Sequence, residues 1–252
     1  MRLWPNIRRR HRKRQRSRFF RYSVNLLRIM MLLLIIDIFY ISTIWPDWSD
    51  FGRGSVKKTQ FIKAYEQRLK LNPELPPLYW KPVTLNRIPV DMRHAVIVAE
   101  DSRFYQHTGF DLDALAKAMQ YNIEHLHFKY GGSTISQQTI KNMFLTSNRT
   151  PLRKWHELIL TIGMEIKLNK QRILEIYLNV AEFGKGIFGV EAAAQYYYGR
   201  PAIMLNKKQM AELAASLPSP KKHNPQTRTT QFVKRSNKIF RFMSIYTKNK
   251  TY

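Results

Sequence analysis

Apolar residues form one unbroken run near the N-terminus and short helical periods beyond it. From Val24 to Trp45 the only charged residues are Arg28 and Asp37. A helix of ~20 apolar residues crosses the hydrocarbon core of a bilayer, so the run predicts a transmembrane helix over 24–45. Asp37 is its costly position, worth about 3 kcal/mol near the bilayer centre. Tyr40, Trp45 and Trp48 suit the far interface, where aromatic rings collect. Residues 46–89 read as a stalk and wrap: an amphipathic helix over 56–71, then a stretch holding Pro73, Pro76, Pro77, Pro82 and Pro89. Proline fixes φ and removes a donor, so that stretch is expected to be extended.

From Val90 the period turns helical. Met92, Val96 and Ala99 mark one helix, and Leu112, Leu115, Ala116 and Met119 the next. Leu152, Trp155, Ile159, Ile162 and Ile166 mark a third; 173–178, 190–198 and 207–217 follow. Strand alternation is scarce. The predicted fold class is mainly α, with 90–252 as the chemical domain.

Charge changes this picture at the N-terminus. Of 43 Lys and Arg, eleven lie between Arg2 and Arg28, where there is no acid. The basic arm, 1–23, marks the cytoplasmic side of the span by the positive-inside rule and gains from anionic lipid. Beside a membrane span it reads as a topology signal and lipid contact rather than a nucleic-acid binder. A cleaved signal peptide is the rival reading; the long arm, the long run and the lack of a small-residue cleavage pattern argue against it. Away from the arm the remaining 32 bases still outnumber the 17 acids, which points to an anionic partner. With no cysteine, disulfide scaffolds, thiolate zinc sites and Cys nucleophiles are excluded.

Four clusters carry candidate chemistry. Glu100-Asp101-Ser102-Arg103-Phe104-Tyr105-Gln106-His107-Thr108-Gly109 closes a helix, and an apolar setting there would raise a carboxylate's pKa and make it a better base; a solvated or capping acidic pair is the bland alternative. Gly131-Gly132-Ser133-Thr134-Ile135-Ser136-Gln137-Gln138-Thr139-Ile140-Lys141-Asn142 predicts a helix capped by Ser133. Free donors at its N-terminus, with Lys141 along the Ser133–Gln137 stripe, suit a phosphate. Arg149 precedes Arg153-Lys154-Trp155-His156-Glu157, which also fits an ordinary helical salt bridge. Lys170 to Asn179 has core-helix spacing, and Gly184, Gly186 and Gly189 announce tight turns. The zincin pattern fails, because Leu160 stands where a second histidine is required after His156-Glu157. His125 and His127 read as surface residues.

In this order, with Trp80-Lys81-Pro82 and Ala95 to Asp101 leading in, the clusters resemble the monofunctional peptidoglycan glycosyltransferases of family 51, the biosynthetic transglycosylases. The resemblance runs from about Tyr79 to Pro220. It implies a lysozyme-like helical domain with a smaller membrane-associated jaw. It also implies a reaction that polymerises lipid II into the glycan strands of the cell wall. An undecaprenyl-pyrophosphate-linked chain is transferred, with inversion, to the acceptor sugar hydroxyl, giving β-1,4 bonds. Carried over by motif, Glu100 is the general base and Glu157 the second carboxylate. Lys141 and Arg149 hold the pyrophosphate, Ser133, Gln137, Gln138 and Asn142 line the donor site, and Arg153 and Lys154 complete the third motif. No cofactor is obligatory, and a divalent cation, Mg or Mn, is allowed with no ligands assigned.

The implied location is the bacterial inner (plasma) membrane, N-terminus in the cytoplasm and catalytic domain on the periplasmic or outer face. The partners are lipid II, the lipid-linked glycan, membrane lipids and division or elongation proteins, with no nucleic acid. Residues 110–130, with Leu126, Phe128 and Tyr130, are the candidate lipid contact; a helix packed on the core is the alternative. The chain ends about 30 residues after Pro220, so no transpeptidase activity is expected. A lytic enzyme of the same fold and a non-catalytic membrane scaffold are the competing functions. The cation cluster argues against the lytic one, which would want a strong acid instead.

Overall fold

The computed structural model describes residues 5–125, 131–146, 148 and 150–248, with side chains for 20–243 of these. The chain divides into two compact units, Met1–Pro46 and Asp47–Tyr252. The first unit is a single helix, α1 (Pro5–Ile44), in which the basic arm runs without a break into the apolar run. Its segment Phe20–Ile44 is 25 residues long, apolar, and not buried against protein. At ~1.5 Å per residue it exceeds the ~30 Å hydrocarbon thickness, so it is long enough to span a membrane.

The second unit begins with a short α2 (Ser49–Gly52) and α3 (Gln60–Leu71). Helix α3 starts four residues later than the hydrophobic pattern predicts, because the Thr59 side chain caps it by accepting from the Ile62 N–H. The proline-rich stretch is extended over much of its length but breaks into a turn after Asn72 and a single 3₁₀ turn at Leu85–Arg87, where local i, i+3 backbone bonds close. It supplies β1 (Tyr79–Trp80), which pairs parallel to β3 (Ile187–Phe188); β3 pairs antiparallel to β2 (Glu182–Gly184). The β2–β3 turn is where the glycines announced it: Gly186 has φ +80°, and a Cβ there would meet the Tyr65 hydroxyl at 2.6 Å.

Asn179 fastens the wrap to the helices. Its side-chain amide donates to the Val83 and Glu175 carbonyls at 2.8 Å each, and its Oδ1 accepts from the Val83 N–H at 2.8 Å. Its own carbonyl accepts from the Trp80 indole at 3.0 Å. A buried backbone that leaves regular structure must find such partners, and here one side chain supplies several.

The remaining helices are α4 (Val90–Glu100), α5 (Leu112–Glu124), α6 (Ile135–Phe144), α7 (Pro151–Lys167), α8 (Lys170–Val180), α9 (Val190–Tyr198), α10 (Lys207–Ser216) and α11 (Thr230–Lys248). α10 packs on α4 and α11, while α6 packs on α7 and α8. Met92, Val96, Phe104, Ile140, Leu160, Ile173, Tyr177, Leu213 and Phe232 are almost wholly buried in this core. The architecture is mainly helical, in line with the sequence.

Two apolar stripes do not join the core. Leu112, Leu115, Met119 and Ile123 line α5 at helical spacing and are all exposed, and α5 has no buried residue. Leu152, Trp155, Ile162 and Ile166 on α7 are likewise exposed, while α7 buries His156, Glu157, Leu160, Thr161, Gly163 and Met164.

Candidate active site

The site is built where the end of α4 meets α6. Glu100 is the last residue of α4, and its side chain is 10% exposed. Oε2 accepts from the Gln138 side-chain amide at 3.0 Å. Oε1 accepts from Nη2 of Arg235 at 2.8 Å, and the same nitrogen donates to the Ala99 carbonyl at 3.0 Å. Gln138 is itself oriented, since the Tyr177 hydroxyl donates to its Oε1 at 3.1 Å. Burial raises the Glu100 pKa above the ordinary carboxylate value; the Gln138 hydrogen bond, then the charges of Arg235 and Lys141, pull it part of the way back. Burial, followed by the Glu100 charge, raises the Tyr177 phenol well above its usual value, so this hydroxyl remains a donor.

Asp101 connects the two helices directly. Its Oδ2 accepts the Ile135 N–H at the start of α6 at 3.0 Å, and its two oxygens lie 2.9 and 3.1 Å from His107 Nε2. The start of α6 corrects two expectations. Thr134, not Ser133, is the N-cap: its hydroxyl accepts from the Gln137 N–H and donates to the Gly109 carbonyl at 2.6 Å. The Gln137 side-chain Oε1 in turn accepts from the Thr134 N–H at 3.0 Å, closing a capping box. Several first-turn donors are therefore already satisfied within the protein, and the helix N-terminus is not an open phosphate cradle. Ser133 is exposed just ahead of the helix, whereas Gln137 and Asn142 are buried.

Lys141 lies three residues past Gln138, on the same face of α6, and is half-buried. Burial lowers its pKa from the usual lysine value. The charges of Glu157 and Glu100 push it back up, and those of Arg153 and Lys154 push it down. Lys141 thus feels two carboxylates and two cations. Glu157, 3% exposed, sits one turn into α7, whose start is fixed by Thr150 as N-cap and Pro151 after it. Its Oε2 accepts from Arg153 Nη1 at 2.6 Å, and its Oε1 from Lys154 Nζ. The structure brings Glu100, Gln138, Lys141, Arg153, Lys154 and Glu157 into one electrostatic neighbourhood. Arg149 lies outside the described residues, as do His127, Leu126, Phe128 and Tyr130.

Among the described residues, one trio stands close enough to share a cation: the ligand atoms of Asp101, His107 and Asp111 lie within 4.8 Å of one another. Their lone pairs are already engaged. Asp101 takes the Ile135 N–H and the His107 ring, Asp111 caps α5 through the Ala114 N–H at 2.9 Å, and Arg103 Nε stands 3.3 Å from Asp111. A guanidinium beside the trio and a backbone donor on each carboxylate do not fit a divalent ion.

Two contributors escaped the sequence reading. Tyr177 was visible only as a core-helix residue, although its hydroxyl sets Gln138. Arg235 lies on α11, past the last recognised motif; the apolar period of Phe232, Ile239 and Met243 is the signal that would have found that helix.

The model of the transglycosylase family matches residues 76–244 of this chain. A biosynthetic peptidoglycan transglycosylase of Janthinobacterium sp. (strain Marseille) is 40% identical over 216 residues, covering 86% of this chain and 91% of the relative. That of Bordetella avium (strain 197N) is 39% identical over 235 residues, covering 91% and 96%. A protein of the same description from Aeromonas hydrophila reaches 49% over 138 residues, 55% of this chain and 58% of the relative. The chain belongs to the transglycosylase family and is a glycosyltransferase enzyme.

Proposed function

We propose that this enzyme polymerises lipid II into peptidoglycan glycan strands. The acceptor sugar hydroxyl attacks the anomeric carbon of the lipid-linked chain. The bond from that carbon to the pyrophosphate oxygen breaks, and the hydroxyl proton passes to Glu100. Attack opposite an α-linked pyrophosphate inverts the centre and gives a β-1,4 bond. The leaving group departs with its charge neutralised by Lys141 and Arg149, while Glu157 holds Arg153 and Lys154 in the same cationic field. Such a reaction needs one base and fixed cations more than a strong acid.

The observation that carries this reading is the coupling of Glu100 to Lys141. A buried carboxylate of raised pKa at the end of α4 lies in the field of a half-buried ammonium on α6, with Gln138 between them in sequence and bonded to the carboxylate. The relatives' printed description as biosynthetic enzymes supports synthesis over cleavage. The helix Phe20–Ile44 would anchor the enzyme by a single pass in the inner membrane, with the arm inside by its charge. The exposed apolar stripes of α5 and α7 then rest on lipid, where their large apolar side chains are removed from water.

The test incubates the purified full chain in detergent with labelled lipid II. Wild type is expected to yield polymer. Glu100→Gln is expected to yield none, while its helical circular dichroism and melting temperature persist. Polymer from Glu100→Gln would remove Glu100 as base, shortened glycan from wild type would make the enzyme lytic, and no product from wild type would leave a scaffold.

A further inference from the structure

A buried general base faces a conflict. The apolar setting that raises its proton affinity also favours the protonated form, in which it cannot act. Glu100 has a second handicap, because it ends a helix whose last carbonyls carry the negative end of the helix dipole. Arg235 answers both. One nitrogen, Nη2, reaches the Ala99 carbonyl and Glu100 Oε1 together, at 3.0 and 2.8 Å. It is thereby tied to the backbone that carries the base and not only to its charge. The guanidinium comes from α11, 135 residues away in sequence, and is held there by Phe232, Ile239 and Met243, all buried. Its side chain is 35% exposed, so the cation keeps part of its hydration while the carboxylate, at 10%, does not. Arginine suits the task because it stays protonated, and the two hydrogens of one terminal nitrogen point in fixed directions, one to the carbonyl and one to the carboxylate.

We propose that Arg235 is a positioning residue for the general base: it holds the Glu100 carboxylate in one rotamer and keeps it ionised, so that α11 arms the site from outside the recognised motifs. This rests on the reading of Glu100 as the base. The other groups facing Glu100 are Gln138 and Lys141 from α6, Tyr177 from α8, and Asp101 beside it on the chain. Of these, Lys141 is the other cation, and it is shared with Glu157. Among the described residues, Arg235 is the cation hydrogen-bonded to Glu100.

The test measures polymerisation by the full chain in detergent against pH for wild type, Arg235→Gln, Arg235→Lys and Glu100→Gln. It also follows the carboxyl titration of Glu100 by infrared difference spectroscopy, assigned through Glu100→Gln. In Arg235→Gln the acid limb of the rate profile and the infrared midpoint are expected to rise together by about one pH unit, costing about tenfold in rate below the limb and recovering above it. Arg235→Lys is expected to restore part of the shift, since it returns the charge without the fixed planar geometry of the guanidinium. Circular dichroism and melting temperature check that each variant is folded. If Glu100→Gln is inactive while Arg235→Gln leaves limb and midpoint unmoved, Arg235 is structural and the proposal is wrong. If Glu100→Gln polymerises at wild-type rate, the assignment of the base is wrong and this role for Arg235 goes with it.

Discussion

The Tyr177 hydroxyl donates to Oε1 of Gln138, and this bond decides which end of the amide Glu100 meets. With Oε1 taken, the NH₂ group faces the carboxylate and donates to it. A phenol on α8 thereby controls a contact of the base on α4 through a side chain on α6.

Removing that hydroxyl tests the relay. In Tyr177→Phe the amide is free to turn its oxygen toward the carboxylate, which replaces a donor by a repulsive acceptor. A lost hydrogen bond of about 1 kcal/mol predicts a roughly fivefold fall in turnover. The melting temperature should fall by only about 2–4 °C, because the ring still fills its place. Steady-state polymerisation and thermal unfolding of the same preparation check both figures.

Lys141 and Glu100 together set the shape of the pH profile. In the proposed reaction Glu100 acts as a base only when ionised, and its pKa is raised by burial, so activity is expected to be lost as pH falls through a value above the ordinary carboxylate range. In the proposed reaction Lys141 neutralises the leaving group only when protonated, and burial lowers its pKa, so activity is expected to be lost as pH rises through a value below the usual lysine range. A bell narrower than the two ordinary pKa values would define is expected. Lys141→Arg should extend the alkaline side, because a guanidinium does not deprotonate there. Lys141→Ala should lower donor use on the order of ten- to a hundredfold at neutral pH, the worth of a charge-assisted contact. Rate measurements across pH with each variant decide the matter.

Asn179 is expected to be a stability residue. Its side chain makes bonds to Val83 N–H, Val83 carbonyl and Glu175 carbonyl, and Asn179→Ala takes this partner from the part-buried Val83 N–H and carbonyl of the wrap. A loss of about 2–4 kcal/mol follows, or roughly 5–12 °C in melting temperature. Differential scanning calorimetry measures it. A change under 2 °C would mean that water satisfies those groups.

Deleting 1–45 separates anchoring from chemistry. The second compact unit has its own core, so the truncated enzyme should fold and polymerise lipid II in detergent. On membranes its rate should drop, since two tethered lipid substrates and a tethered enzyme meet more often than a free one. Equal rates on vesicles for both forms would reduce the helix to an address.

Much of this architecture was legible because helical periods and caps are local signals. The period beginning near Val90 marks α4, and the glycines at 184, 186 and 189 mark the β2–β3 turn. Periodicity says which face is apolar but not what covers it, so the stripes of α5 and α7 could not be told from core faces until their exposure was seen. Glu100 and Lys141 were legible as a carboxylate and an ammonium near helix ends. Their partners were not, because Tyr177 and Arg235 reach Glu100 from helices distant in sequence. Ser133 was a reasonable cap by composition; Thr134 won because its hydroxyl also reaches the Gly109 carbonyl, a contact between segments that no local pattern contains.

The carboxylate of Asp101 accepts the first N–H of α6 one residue after the base that ends α4. The chain's own backbone therefore acts as a ruler between the proton acceptor and the ammonium two turns along. In the proposed reaction that spacing is set by the fold and not by the sugars that are joined.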